Sequence, residues 1–474
     1  MGRRPVVRDR PNRPIRITQS SLQRRVMANT DQLRVKKQQR NTVLASVFGS
    51  IIEWYDFFLY ATMAALVFNS EFFPEFDPLI GTLVAFGTFA AGFVTRPIGG
   101  LIFGHFGDRI GRKKILVITM LIMGISTFLM GVLPTYAQIG VAAPILLLIL
   151  RMLQGIGLGG EWGGAAILTF EHAPRGKRGL FSSWPQTGVP LGLLLSTVAV
   201  NLASLGGDEV LVEWAWRVPF IASIVLVIVG LIVRLKVEEP QAFKDMVETG
   251  EVVKVPVFEV IRKYPKQLLV GFGARFSESI TFNVYNAFLL TYTTTVLGLS
   301  SSYALNGLLV ASVIGFFIIP IAGKLSDKFG RRPVFAAGAA VALVTAFPIF
   351  GLIDSGVAVF IWLATVLGWS MGACTMFGAE AAFFAELFPA RVRYTGMSLV
   401  YQLGVLPSGA VAPIIAVWLV SISGSSWPVA IYVMVAAVIA LVALYFAKET
   451  AHQEVDTDLR ARAEAQSAPA PAAQ

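Results

Sequence analysis

The chain has 474 residues, 55% of them hydrophobic and 14% charged, with 34 phenylalanines, a balance too apolar for a soluble globular protein of this size. This composition excludes a secreted domain and a disordered chain, and the long continuous apolar runs exclude a β-barrel porin, whose strands alternate over about ten residues. The formal net charge of +10 raises nucleic-acid binding, but the basic residues are spread over short loops, so no nucleic-acid partner is expected.

One helical crossing takes about 20 apolar residues, and twelve runs of that kind follow one another. Ahead of them, residues 1–41 form a basic arm without an apolar h-region, expected to be disordered and solvated or to rest on lipid headgroups. Met27, followed by Ala-Asn-Thr, is an alternative start. The first six spans are predicted over Thr42 to Phe68, Leu79 to Gly104, Ile115 to Pro134, Ala143 to Thr169, Leu180 to Ser204 and Trp214 to Arg234. A charged central loop, 235–266, leads to Gln267 to Leu297, Tyr303 to Lys324, Val334 to Asp354, Val357 to Glu386, Thr395 to Ser421 and Trp427 to Ala447. The tail, 448–474, ends in Ala, Pro and Gln and is expected to be disordered. The chain thus reads as an all-α membrane protein with domains at 42–234 and 267–447.

Basic residues accumulate in short cytoplasmic loops. With the amino terminus inside, 35 of the 39 Lys and Arg fall in the predicted cytoplasmic segments, and the outer loops carry acids such as Glu71, Asp208 and Asp354. This partition predicts a multi-pass protein of the cell (inner) membrane with both termini cytoplasmic. Arg96, Arg151, Arg217 and Arg275 remain inside spans.

The most informative feature is a duplicated loop. Gly104-His105-Phe106-Gly107-Asp108-Arg109-Ile110-Gly111-Arg112-Lys113 stands between spans 2 and 3, and Gly323-Lys324-Leu325-Ser326-Asp327-Lys328-Phe329-Gly330-Arg331-Arg332 between spans 8 and 9. Glu171-x-x-Pro174 with Arg178 returns as Glu386-x-x-Pro389 with Arg393, and Gln186-x-Gly188 as Gln402-x-Gly404. Six helices were duplicated in parallel.

These residues resemble the major facilitator superfamily, whose signature is the doubled G-x-x-x-D-R-x-G-R-[KR] loop. Within it, Glu53-Trp54-Tyr55-Asp56 with Phe57 to Tyr60, Arg96-Pro97-Ile98-Gly99-Gly100 and the span 4 run from Arg151 to Trp162 resemble the metabolite:proton symporter family. The resemblance covers roughly residues 40 to 448. It implies two pseudo-symmetric six-helix bundles around a central solute site that opens alternately to each side. It also implies that Gly104, Asp108, Arg109, Gly111 and Arg112, with Asp327, Gly330 and Arg331, form a cytoplasmic gate completed by Glu171, Arg178, Glu386 and Arg393.

Charges inside apolar helices are expensive and face a cavity or a partner. Glu53, Asp56 and Tyr60 share one face of span 1, and Arg151, Gln154 and Glu161 one face of span 4. Span 7 carries Arg275 and Glu278 one turn apart, then Asn283, Tyr285 and Asn286; span 10 carries Glu380. With no histidine inside a span, a carboxylate must carry the coupling proton. Asp56 paired with Arg151 is the first choice, in the form of the span 1 Asp and span 4 Arg of proton-coupled sugar porters, and Glu53 the second. A permanent structural ion pair is the alternative for Asp56 and Arg151.

For the solute, Tyr60, Gln154, Glu161, Arg275, Glu278, Asn283, Tyr285, Asn286 and Glu380 are the expected binding residues, because the planar guanidinium fork suits a carboxylate. Arg275 satisfied by Glu278 within its own helix is the competing reading. Ala274-Arg275-Phe276-Ser277-Glu278 resembles the shikimate-type branch more than the betaine or 2-oxoglutarate branches, while Phe282-Asn283-Val284-Tyr285 departs from that branch's aromatic pair. Arg96, beside the duplicated loop, is expected to be structural, and Arg217 to anchor its helix near the outer face.

The predicted function is proton-coupled uptake of a small organic acid or related metabolite by a monomer in the bilayer. A proton-coupled exporter is the alternative, although Gly188-x-Pro190-x-Gly192 keeps only a fragment of the exporters' span 5 motif. A non-transporting membrane sensor is a further one. No P-loop, zinc-ligand spacing or Ser/His/Asp set stands in one compartment, so no enzyme, metal or cofactor is expected beyond the proton.

Overall fold

The structure, a computed structural model, describes residues 19–75, 78–174, 176–239, 247–248 and 256–451. Among these residues there is no β-strand. Ten helical runs are long and apolar enough to cross a bilayer: α1 (Gln19–Leu66, with its apolar part over Lys36–Ala64), α3 (Arg112–Val132), α4 (Ala142–His172), α5 (Arg178–Gly206), α6 (Leu211–Leu235), α8 (Ser302–Phe329), α9 (Arg331–Asp354), α10 (Ala358–Glu386), α11 (Ala390–Ser423) and α12 (Trp427–Phe446). Two more, α2 (Pro78–Ile110) and α7 (residues 265–296), stand where spans 2 and 7 were predicted. At 1.5 Å per residue α7 is about 48 Å long, despite the polar stripe it carries.

The first helix departs from expectation. Residues 19–41, expected within a disordered arm, continue α1. No Pro or Gly interrupts Gln19 to Thr42, and Gln, Leu, Lys and Arg predominate there, so nothing in that stretch breaks the helix. The readings made for residues 1–18 and 452–474 lie outside the described residues. Within the predicted central loop, Pro256–Lys263 forms a short helix.

Helices α1–α6 form one bundle and α7–α12 a second. Inside the first, α2 and α4 touch through backbone, because a Cβ on Gly155 would run into the carbonyl of Gly92 and one on Gly159 into that of Arg96. The largest apolar cluster spans both bundles, joining Trp54, Phe57 and Phe93 to Phe282, Trp369 and Phe377. At one end, which we term the basic end, the duplicated loops turn at Gly111 (φ 112°) and Gly330 (φ 107°), a conformation that glycine alone adopts without strain.

Candidate functional site

At the basic end, the two repeated aspartates each cap a helix of the opposite bundle. Asp108 at the end of α2 accepts hydrogen bonds from the backbone N–H of Tyr394 (3.3 Å) and Thr395 (3.0 Å) and from the Thr395 hydroxyl (2.9 Å), at the start of α11. Asp327 at the end of α8 accepts from the N–H of Gly179 (2.7 Å) and Leu180 (2.9 Å), at the start of α5. Each carboxylate thus meets the positive end of a helix dipole and satisfies donors that the helix itself leaves open.

Arginines reinforce each cap. Arg112 lies 3.9 Å from Asp108 and 3.4 Å from Glu171, and donates to the Ala390 carbonyl of the other bundle (3.1 Å). Arg393 crosses from the second bundle to Glu171 (3.1 Å), while Arg331 bridges Asp327 (2.8 Å) and Glu386 (3.0 Å). Gly104 lets α2 approach Thr395, since an added Cβ would sit 3.0 Å from its Cα. Arg178 lies 4.6 Å from the Phe170 ring. Arg109, expected in this group, is exposed and, among the described residues, reaches only His105 (3.4 Å). One residue beyond Asp108 is about 100° further around the helix, which turns it from the seam to the surface.

Two carboxylates missed by sequence reasoning complete this end. Glu239, just after α6, accepts from the backbone N–H of Arg112 and of Lys113 (3.2 Å) at the start of α3. Glu449, just after α12, does the same for Arg331 (2.8 Å) and Arg332 (3.1 Å) at the start of α9. The available signal was the repeat itself, which places a glutamate after the last span of each half.

Deeper in the first bundle, the Asp56 and Arg151 side chains are joined by a relay. The Thr127 hydroxyl donates to Asp56 Oδ2 (2.6 Å), the Gln154 amide donates to Thr127 Oγ1 (2.7 Å), and Arg151 donates to Gln154 Oε1. Arg151 also lies 4.2 Å from the Tyr60 ring, whose hydroxyl bonds to Thr88 (2.6 Å). Glu161, two turns along α4 from Gln154, pairs with Arg234 of α6 and accepts from Thr119 (3.0 Å). Arg234, the last residue of predicted span 6, is buried.

A small cavity opens where the bundles meet. The first bundle lines it with Trp54, Phe57, Phe93 and Arg96; the second contributes Arg275, Glu278, Ser279, Phe282 and Asn283 of α7, with Phe377, Tyr401 and Val405. Arg275 pairs with Glu278 on its own helix and with Glu380 of α10 (3.1 Å), and its guanidinium lies 3.8 Å from the Tyr401 ring. Glu380 also accepts from Gln186 of the first bundle (3.1 Å). Glu53 is 2% exposed, and its Oε2 has no hydrogen-bond partner among the described residues.

Several expected binding residues therefore stand elsewhere. Tyr60, Gln154 and Glu161 do not line this cavity, because the shared face of Arg151, Gln154 and Glu161 points into the first bundle and towards α1, α3 and α6. Tyr285 is fully buried among second-bundle side chains, 6.2 Å from the Phe350 ring. Two residues from Asn283 is nearly the opposite side of a helix, so only one of the two can face the cavity. Asn286 is half-buried and does not line it either. Arg96, expected to be structural, does line it. Arg217 donates to the carbonyls of Gly131 (3.1 Å) and Leu133 (2.6 Å), as an anchor would.

Comparison with known proteins places this geometry in context. A family model described as the Major Facilitator Superfamily matches residues 46–408, with a second match over 315–473. The chain is 40% identical over 416 residues to the shikimate transporter of Escherichia coli K12, covering 87% of this chain and 95% of that protein. It is 42% identical over 426 residues to the inner membrane metabolite transport protein YhjE of the same organism (88% and 96%) and 36% identical over 425 residues to its proline/betaine transporter (87% and 84%). Among solved structures, the proton:xylose symporter XylE bound to 6-bromo-6-deoxy-D-glucose is similar with a TM-score of 0.73 at 17% identity, covering 90% of this chain and 99% of that one. At that identity the likeness shows the fold alone.

Proposed function

The chain belongs to the Major Facilitator Superfamily, as a multi-pass membrane transporter and not an enzyme, and we propose that it takes up a small organic acid by proton-coupled symport. The residues 42–234 and 267–447 act as two units that rock about the central cavity, and one chain holds the whole cavity, which supports a monomer as the working unit. The basic end and both termini face the cytoplasm of a bacterial inner membrane, as the concentration of Lys and Arg at that end supports. With the Asp108 and Asp327 caps made, this end is shut; alternation must break them.

The observation that carries the reading is the closed relay from Asp56 through Thr127 and Gln154 to Arg151. An ionised carboxylate only accepts hydrogen bonds, whereas a protonated one also donates. A proton on Asp56 removes the negative charge that Thr127 donates to, so that hydrogen bond loses its charge assistance, and Arg151 loses the countercharge at the far end of the relay. Protonation is thereby converted into a rearrangement between α1, α3 and α4. Glu53, three residues from Asp56 and beside the cavity, is the second proton site. Shikimate, proline and betaine, the solutes in the relatives' names, all carry a carboxylate, which supports an organic acid here.

The test is uptake into proteoliposomes holding the purified full chain, with shikimate and glycine betaine as probes under an imposed pH gradient. Asp56→Asn is expected to abolish gradient-driven accumulation while leaving exchange of preloaded solute intact, as a transporter locked in its protonated form would behave. Accumulation by Asp56→Asn equal to wild type would remove Asp56 as the coupling site.

A further inference from the structure

We propose that Arg96 receives the carboxylate of the transported solute in the central cavity; this rests on the transport reading above and assigns its binding group. Arg96 sits on α2, 5% exposed, and lines the cavity. Its guanidinium carbon lies 4.8 Å from the Phe93 ring and 5.7 Å from the Phe57 ring. Among the described residues it has no carboxylate within ion-pair distance and no hydrogen-bond acceptor. Every other arginine at this depth is committed: Arg151 to Gln154, Arg234 to Glu161, and Arg275 to Glu278 and Glu380.

A guanidinium withdrawn from water without an anionic partner is costly, and two aromatic faces offset only part of that cost. The cost is tolerable where a ligand brings the missing charge. The planar fork can hold both oxygens of one carboxylate. The rest of the lining fits the rest of such a molecule. Aromatic walls from Trp54, Phe282 and Phe377 suit a compact ring or apolar body. Ser279 is buried with its hydroxyl unpartnered, and Asn283 donates to the Ser279 carbonyl, leaving its own amide oxygen to accept from a solute hydroxyl or amine.

The charges around Arg96 also say when it is available. Glu53 of α1 attracts it, Arg275 of α7 repels it, and the Tyr401 hydroxyl of α11 stands near. Neutralising Glu53 with a proton removes the attraction of a carboxylate, and the Arg96 field then falls on the cavity. Solute anion and proton enter together because each leaves the other's site in charge balance.

The experiment measures binding to the full chain in detergent by quenching of tryptophan fluorescence, Trp54 being in the cavity wall. Shikimate and glycine betaine are compared with their methyl esters. Wild type is expected to prefer the acids by about tenfold or more, the worth of one charge-assisted bidentate contact. Arg96→Gln should lose that preference, and Arg96→Lys, which keeps the charge but not the fork, should keep only part of it. If Arg96→Gln does not fold, a preference in Arg96→Lys equal to wild type overturns the assignment. It is equally overturned by a wild type that prefers neither acid over its ester, or by an Arg96→Gln that retains the preference. Gradient-driven uptake is scored separately. Acid preference without proton-driven accumulation removes symport and leaves Arg96 in place; accumulation with esters bound as well as acids does the reverse.

Discussion

Glu161 and Arg234 meet across 73 positions of chain, wholly inside the first bundle, with Thr119 and the Leu116 carbonyl filling the remaining hydrogen bonds. Removing one member leaves a buried charge without a partner, which costs about 3–5 kcal/mol, whereas removing both can be nearly neutral. Glu161→Gln and Arg234→Met singly are therefore expected to lower the melting temperature sharply in detergent, and the double variant to recover most of the loss. Equal, additive losses would mean the pair is not the unit. This pair also marks the limit of reading a stripe from sequence. Spacing identified Arg151, Gln154 and Glu161 as sharing a face of α4, and they do. Spacing cannot say which neighbour that face meets; the glycines at 155 and 159, which draw α2 onto a different side of α4, decide it. The same blindness cast Arg96 as structural and Tyr285 as a ligand, because a lone charge and a lone hydroxyl look alike until the second bundle is in position.

Helix α9 begins at a glycine that carries no side-chain cap, and Glu449 supplies one from the end of α12, accepting from the backbone N–H groups of Arg331 and Arg332. Partial burial raises this carboxyl, but four backbone N–H donors outweigh it and hold Glu449 below the usual carboxylate range. A depressed folded-state value means the cap contributes above the ordinary carboxylate value and is lost as pH falls through the lower, folded one. Glu449→Ala should cost about 1 kcal/mol, the usual worth of a helix cap, and flatten the part of the melting-temperature profile below about pH 4.5. A variant whose acid limb matches wild type would discharge Glu449 from this role. At this scale the sequence was most readable: twelve apolar runs of spanning length became helices, since in lipid a continuous apolar run satisfies its backbone polar groups within itself only as a helix. The ends were not. The extension of α1 back to Gln19 and the two glutamate caps depend on polar segments, where hydropathy carries no signal.

The two bundles are locked at the basic end by a pair of caps related by the repeat, Asp108 onto α11 and Asp327 onto α5, and beside the first of them Arg112, Glu171 and Arg393 bridge the bundles. These bonds exist only while that end is shut, so each contributes to the difference between the two states of the cycle and not to either bundle alone. A hydrogen bond to a charged group is worth about 1.5–3 kcal/mol net, and 1.4 kcal/mol is about tenfold in population. Asp108→Asn should therefore move the equilibrium roughly tenfold towards the state open at the basic end, and Asp108→Asn with Asp327→Asn further still. Spin labels at Arg109→Cys on α2 and Lys328→Cys on α8 can read the shift, because both positions are exposed and the native Cys374 is buried. The distance distribution between them should broaden and lengthen in the single variant and do so more in the double one. Because the caps act on opposite helices, each single variant should open the end to a similar degree, which two unrelated turn residues would not do. Distributions that stay where wild type leaves them, while the chain still binds its solute, would reduce both aspartates to local turn chemistry and place the lock in the arginine bridges instead.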